Sequence, residues 1–253
     1  MDDLKGKRIL VTGSSTGIGA AITKAYAGYG AAVAIHYNQS KEPAEALLKE
    51  ITAAGGTAIL IGGDVSSSAE TTRIVDEAAA GLGGLDVLVN NAGALVQRMP
   101  LDEITDDFYD RVMDLNVRSV VVASQAAARH MRQAGGGSII NTSSIAARNG
   151  GGPGALLYAG AKAFVLNATR NLAKELAGAN IRVNGVSPGV IATPFHERYS
   201  TPEILEAMRK TIPQGVIGTP EDCIGAYVFF ASKKMSGYIT GQVLEVNGGQ
   251  FMA

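Results

Sequence analysis

Tyr158 and Lys162 stand four residues apart in a stretch rich in Ala and Leu. On a helix, that spacing sets a phenol and an ammonium side by side on one face. A free tyrosine ionises at about pH 10, too high for acid–base work near neutrality. A cation about 4 Å away, at an effective dielectric of about 20, favours the phenolate by about 4 kcal/mol. Desolvation of both groups works against part of that gain. The pair could therefore poise a proton donor and acceptor near neutral pH. Alone it is a weak signal, because most such pairs lie on a solvated helix surface.

A second stretch suits a different task. Thr12-Gly13-Ser14-Ser15-Thr16-Gly17-Ile18-Gly19 follows the apolar run at 9–11 and opens a helical pattern carried by Ile18, Ile22, Ala25, Tyr26 and Tyr29. Gly13 can take a tight turn, Gly17 lets backbone approach a pyrophosphate, and Gly19 permits close helix packing. Free N–H groups at the helix start would meet the anion. The competing reading is a plain tight connection between strand and helix.

The elements that must position these residues alternate in type. Apolar, β-branched runs predict strands at 9–11, 31–35, 57–61, 86–89, 138–141, 181–186 and 243–246, with helices at 18–29, 43–54, 69–82, 106–133, 155–177 and 221–232. Gly30 is placed to end the first helix. Near-continuously apolar strands in strict alternation with helices predict a parallel sheet covered on both faces. The expected fold is α/β: one doubly wound, Rossmann-type domain over 1–253, with seven strands. Ligands in such a sheet bind at the carboxyl ends of the strands, where the winding reverses. Residues 194–213 break the rhythm, with prolines at 194, 202 and 213 around a short amphipathic helix, and are expected to cover a substrate.

Composition narrows the function classes. The chain has 253 residues, 46% of them hydrophobic and 18% charged, an ordinary globular balance. A formal net charge of −1 without a Lys/Arg cluster argues against nucleic acid as a partner. No uncharged apolar run approaches the roughly 18 residues of a membrane span, and no signal peptide is evident at the N-terminus. The single cysteine, Cys223, has no partner within the chain, which suits a reducing compartment and makes the cytoplasm the default. His36, His130 and His196 are scattered, and no Cys/His/carboxylate group has metal-ligand spacing, so no metal is expected. The acidic face of Asp102, Glu103, Asp106, Asp107 and Asp110 is explained by the dipole of the helix it opens.

Taken together, Thr12-Gly13-x-x-x-Gly17-Ile18-Gly19, Asn90-Asn91-Ala92-Gly93, Tyr158-x-x-x-Lys162 and Pro188-Gly189 resemble the motifs of the short-chain dehydrogenase/reductase family. The resemblance runs in order along nearly the whole chain, to Gly241-Gln242 and Asn247-Gly248-Gly249. It implies hydride transfer between a nicotinamide cofactor and a carbonyl or alcohol carbon. Tyr158 would be the acid or base, and Lys162 would lower its pKa and bind the nicotinamide ribose. Ser144, rather than Ser143, matches the serine that holds the substrate oxygen, its alternative being a strand-end cap. Asn116 matches the asparagine that holds a water linking the lysine to solvent, its alternative being a buried amide bonded to backbone.

The same resemblance assigns the cofactor contacts. Gly13, Ser15, Thr16, Gly17, Ile18 and Gly19 would form the pyrophosphate turn. Asp64, beside Val65, would bond the adenine amino group, or else serve as a cap. Asn91, Ala92 and Gly93 would line the adenosine ribose. Pro188, Gly189, Ile191 and Thr193 would hold the carboxamide end. An NAD site carries an acid about 20 residues after the glycine turn, yet 31–40 contains none. His36, Tyr37, Asn38, Gln39 and Ser40, with Lys41 next, resemble the polar loops of NADP users, although Ser15 and Thr16 stand where many of those carry arginine. NADP is the expected cofactor, with NAD the alternative.

Substrate is legible only as a class. The pattern is similar to 3-oxoacyl-carrier-protein reductases, in a family that also handles sugars, polyols and steroids. The interval from Ser144 to Tyr158 is one residue longer than the commonest pattern and contains Gly150-Gly151-Gly152-Pro153-Gly154, at the expected edge of the pocket. His196, Arg198 and Tyr199 are candidates for substrate contact. A homotetramer, or a homodimer, is the assembly the resemblance implies. The rival class is a nucleotide-sensing regulator or scaffold without turnover, which has no need of Asn116, Ser144, Tyr158 and Lys162.

Overall fold

A computed structural model describes residues 2–252. In chain order its elements are β1 (Arg8–Val11), α1 (Gly17–Gly28), β2 (Ala32–Tyr37), α2 (Lys41–Ala53), β3 (Thr57–Gly62), α3 (Ser68–Leu82) and β4 (Val87–Asn90). There follow α4 (Asp106–Met113), a π turn (Asp114–Arg118), α5 (Ser119–Gln133), β5 (Gly137–Thr142), α6 (Ala146–Asn149) and α7 (Leu156–Leu176). The last are β6 (Ile181–Pro188), α8 (Pro194–Tyr199), α9 (Pro202–Arg209), α10 (Pro220–Ala231), α11 (Lys233–Ser236) and β7 (Val243–Val246).

The seven strands form one parallel sheet in the order β3-β2-β1-β4-β5-β6-β7, the doubly wound topology expected. Its winding reverses between β1 and β4, where Ile9 pairs with Val87 and Val11 with Val89. Two apolar layers cover it. Ile22 and Tyr26 of α1, Leu47 and Ile51 of α2, and Tyr227 and Phe230 of α10 pack on one face. Ile74 and Val75 of α3, Ala127 and Met131 of α5, and Leu176 of α7 pack on the other. Burial on both sides explains why 9–11 in β1 and 87–89 in β4 read as unbroken apolar runs.

The buried asparagines of the sheet, Asn90, Asn141 and Asn184, are paired. Asn90 donates to Asn141 Oδ1 at 2.9 Å, and Asn141 donates to Thr169 Oγ1 at 2.9 Å, which locks β4, β5 and α7 together. Arg8 grips Asp86 through Nε at 2.7 Å and Nη2 at 3.0 Å, fastening the amino end of β1 to that of β4. This arginine holds the Asp86 carboxyl below the usual carboxylate range, against the opposing effect of its burial.

Three expectations change. The helix expected over 106–133 is interrupted by the π turn, which buries Asn116 completely. The single helix expected within 194–213 is two, α8 and α9, each with a proline in its first turn. Part of the 144–155 connection, read as loop, forms α6.

Candidate active site

A cleft of about 700 Å³ runs along the carboxyl ends of the strands and across the β1–β4 crevice. Residues after β1 line its floor, from Gly13 through Ser15, Thr16, Gly17, Ile18 and Gly19. Thr16 occupies the N-cap position of α1 but makes no side-chain capping bond, so the first-turn N–H groups have no side-chain acceptor. The glycines there are required by space: a Cβ on Gly19 would lie 2.3 Å from the Gly13 carbonyl oxygen. Asn91 fastens this turn, its amide donating to the carbonyls of Thr12 at 2.9 Å and Gly13 at 3.0 Å.

The ends of β2 and β3 supply the next wall. Asn38, Gln39 and Ser40 line the cleft, and Ser40, the N-cap residue of α2, makes no capping bond either. Asp64 and Val65 line it after β3, with Asp64 Oδ1 accepting the Ser66 N–H at 2.9 Å. Tyr37 does not belong to this wall. Successive strand residues face opposite ways, and its ring lies over Gly62, where a Cβ would come within 2.9 Å of it. His36 lines the cleft in its place.

At the other end, Ser144, Tyr158 and Lys162 share the cleft with Ala92, Gly93, Pro188, Gly189, Ile191 and Thr193. Lys162 is buried and donates from Nζ to the Thr142 carbonyl at 2.9 Å. Its Nζ lies 5.7 Å from the centre of the Tyr158 ring. Burial pulls the ammonium down to about 8 and pushes the half-buried Tyr158 phenol up to about 12, the latter opposed by a hydrogen bond with Ser144. The two serines divide. Ser143 Oγ is buried and donates to the Lys162 carbonyl at 3.0 Å, whereas Ser144 Oγ caps the Ala146 N–H at 3.1 Å beside the phenol.

Asn116 does not line the cleft; it stands behind it. Its amide donates to the Ala94 and Val112 carbonyls, both at 2.9 Å, and its Oδ1 accepts the Ala94 N–H at 3.2 Å. Gly93 fits between it and Lys162, where a Cβ would sit 2.7 Å from Asn116 Oδ1 and 3.1 Å from Lys162 Nζ.

Residues the motifs do not mark close the mouth. Phe195 of α8 stacks 5.6 Å from the Tyr158 ring and 5.0 Å from Tyr199. Arg98, in the β4–α4 connection, donates to the Tyr199 carbonyl at 3.1 Å and the Pro153 carbonyl at 2.9 Å, joining α8 to the glycine-rich loop. His196 is held below its usual pKa by burial and by Arg98. Two residues before Arg98, Val96 sits at φ +66°, a strained value for a β-branched residue. No short-range sequence pattern announces these contacts, which join segments 55 to 101 residues apart.

The cleft fits a dinucleotide. It offers two uncapped helix starts, a backbone cradle that a Cβ would fill, and a titratable pair at the far end. Among the described residues no helix is long and apolar enough to cross a membrane.

Comparisons with known proteins agree with this architecture. Residues 13–250 match a family model described as enoyl-(acyl carrier protein) reductase. An uncharacterised oxidoreductase from Methylorubrum extorquens is 41% identical over 98% of this chain and 99% of its own. A 3-oxoacyl-[acyl-carrier-protein] reductase from Synechocystis sp. is 38% identical, covering all of both chains. Among solved structures, NADH-dependent reductase A1-R', responsible for alginate metabolism, superposes with a TM-score of 0.92 at 43% identity over all of both chains. A short chain dehydrogenase from Burkholderia cenocepacia in complex with NADP does so with a TM-score of 0.89 at 39% identity, over 98% of this chain and 99% of that one.

Proposed function

Because the chain belongs to the short-chain dehydrogenase/reductase family, we propose that it moves a hydride between a nicotinamide dinucleotide, NADP by preference or NAD, and a small carbonyl or alcohol substrate. One observation carries the reading: the uncapped start of α1 and the Tyr158–Lys162 pair open onto the same cleft.

The turn Gly13–Gly19 would hold the pyrophosphate on free backbone N–H groups. Asp64 and Val65 would take the adenine, Asn91, Ala92 and Gly93 the adjoining ribose, and Pro188, Gly189, Ile191 and Thr193 the carboxamide end. Asn38, Gln39 and Ser40, with the open start of α2 and no acid in 31–40, suit a 2′-phosphate better than a bare hydroxyl. The bound dinucleotide supplies or accepts the hydride. Tyr158 carries its proton at neutral pH, since burial pushes the phenol up to about 12, and so starts as the acid that protonates the substrate oxygen in reduction. The charged Lys162 then favours the phenolate left behind, and Ser144 holds the same substrate oxygen. Asn116 fixes the floor by bonding Ala94 beside Gly93. Helices α8 and α9, within 194–213, would cover the substrate, with Phe195, His196 and Arg198 lining the cleft and Tyr199 packed against Phe195.

Substrates of the 3-oxoacyl thioester type, or sugar- and polyol-like carbonyls, are the proposed classes, the first supported by the similarity to a 3-oxoacyl-[acyl-carrier-protein] reductase and the second by that to a reductase responsible for alginate metabolism. A homotetramer or homodimer in the cytoplasm completes the proposal, supported by exposed Leu156 and Phe164 on α7 and by the single buried cysteine. A panel of ketones, sugars and acyl thioesters, followed at the reduced-nicotinamide absorbance with each cofactor, tests the reading. A substrate should emerge, NADPH should give the higher kcat/KM, and Tyr158→Phe should lower kcat by about 10³-fold while leaving cofactor Kd within about twofold. Absence of turnover across the panel would favour a nucleotide-sensing regulator instead, and survival of turnover in the variant would remove Tyr158 as the acid.

A further inference from the structure

His36, the residue before the end of β2, has its ring turned inward, 1% exposed, behind the glycine turn. Its backbone N–H donates to Ser14 Oγ at 2.8 Å, and its carbonyl accepts the Ser14 N–H at 3.0 Å. The ring adds two further bonds. Nδ1 lies 2.9 Å from the Gly13 nitrogen, and Nε2 lies 3.0 Å from the Gly63 carbonyl oxygen. A backbone N–H can only donate and a carbonyl can only accept. Both ring contacts are therefore satisfied by one species, the neutral imidazole with its proton on Nε2. A protonated ring would turn a second N–H toward that of Gly13 and break the contact.

We propose that His36 is a positioning residue for the dinucleotide site: its neutral ring clamps the Gly13 turn to the end of β3, and protonation in acid releases that turn. The proposal rests on the reading of the cleft as a dinucleotide site. The clamp sets the spacing between the pyrophosphate turn on one side and Asp64 and Val65, next to Gly63, on the other. Burial holds the imidazole below the usual histidine range, so it is neutral at physiological pH. Two charged groups act on it. Asp64, after β3, favours the charged ring, and Arg73 on α3, itself paired with Glu70 and Glu77, disfavours it.

The test measures NADP⁺ and NAD⁺ binding to the full chain by calorimetry from about pH 7.5 to about pH 5, for wild type, His36→Asn and His36→Phe. Asparagine keeps an acceptor near the position of Nδ1 and does not titrate. Dividing the wild-type Kd by the His36→Asn Kd at each pH cancels titration of the ligand's own phosphate. That ratio should rise by about tenfold on acidification, the loss of one buried hydrogen bond. His36→Phe should bind weakly at every pH, without the acid increment. Imidazole ¹⁵N shifts of the wild type should report a neutral, Nε2-protonated ring at neutral pH. A ratio independent of pH, or a ring that is charged or Nδ1-protonated at neutral pH, would overturn the role of His36. Failure of the wild type to bind either dinucleotide at any pH would instead sink the reading of the cleft.

Discussion

Burial sets the resting state of the two residues at the centre of the site. The four-residue spacing does bring Tyr158 and Lys162 together, but Lys162 spends its proton contact on Thr142, and each group is pushed toward its neutral form. This has a consequence for stability. The unfolded chain holds the Lys162 proton up to about 10.5, the folded chain only up to about 8, so between those values the unfolded state binds more protons and stability climbs with pH. Burial of Cys223, pushed up from 9.0 to about 12, acts in the opposite direction above pH 9. That effect is common to wild type and Lys162→Met, so their difference isolates the lysine. Urea melts should show wild type gaining about 3 kcal/mol on the variant from pH 8 to pH 10.5. A constant difference would mean that Lys162 is not desolvated in the fold.

Among the elements, the π turn matters most to the site. It places Asn116 inward, with three bonds to the backbone of Ala94 and Val112. Asn116→Ala should lower stability by about 2–3 kcal/mol in urea unfolding, and should lower kcat more than it raises KM because Gly93 and Lys162 lose their backing. An unchanged melt would show that those bonds add nothing net. The turn was invisible in the sequence, since the inward residues Phe108, Val112, Asn116 and Val120 keep the four-residue steps that an unbroken helix also allows. Strands were legible because both faces are buried, which makes 9–11 and 31–35 continuous apolar runs. The split of 36 from 37 was not, because a one-residue step on a strand exchanges the two faces. The glycine turn, Ser144, Tyr158 and Lys162 were legible as local patterns. The states of the last two were not, for they depend on Thr142, Phe195 and Tyr199 closing around them.

For the whole molecule, the two-layered sheet leaves apolar side chains on its outer helices. Phe164 and Leu156 on α7 and Tyr109 on α4 are each more than two-fifths exposed, at 44%, 56% and 46%. Light scattering on the purified chain should give a mass of about four chains, or two, and Phe164→Asp should reduce it. A monomer in both cases would remove the proposed assembly without touching the chemistry. Arg98 bears on the other end of the molecule, where its guanidinium is tied to residues 199 and 153 at once. Roof and side wall thus hang from one peg: a helix α8 that swings outward either drags the proline turn along or sheds the guanidinium. On the proposed reading, a swing of α8 that keeps this bond would carry the glycine-lined rim with it, so that entry to the cleft and the shape of its wall would change together.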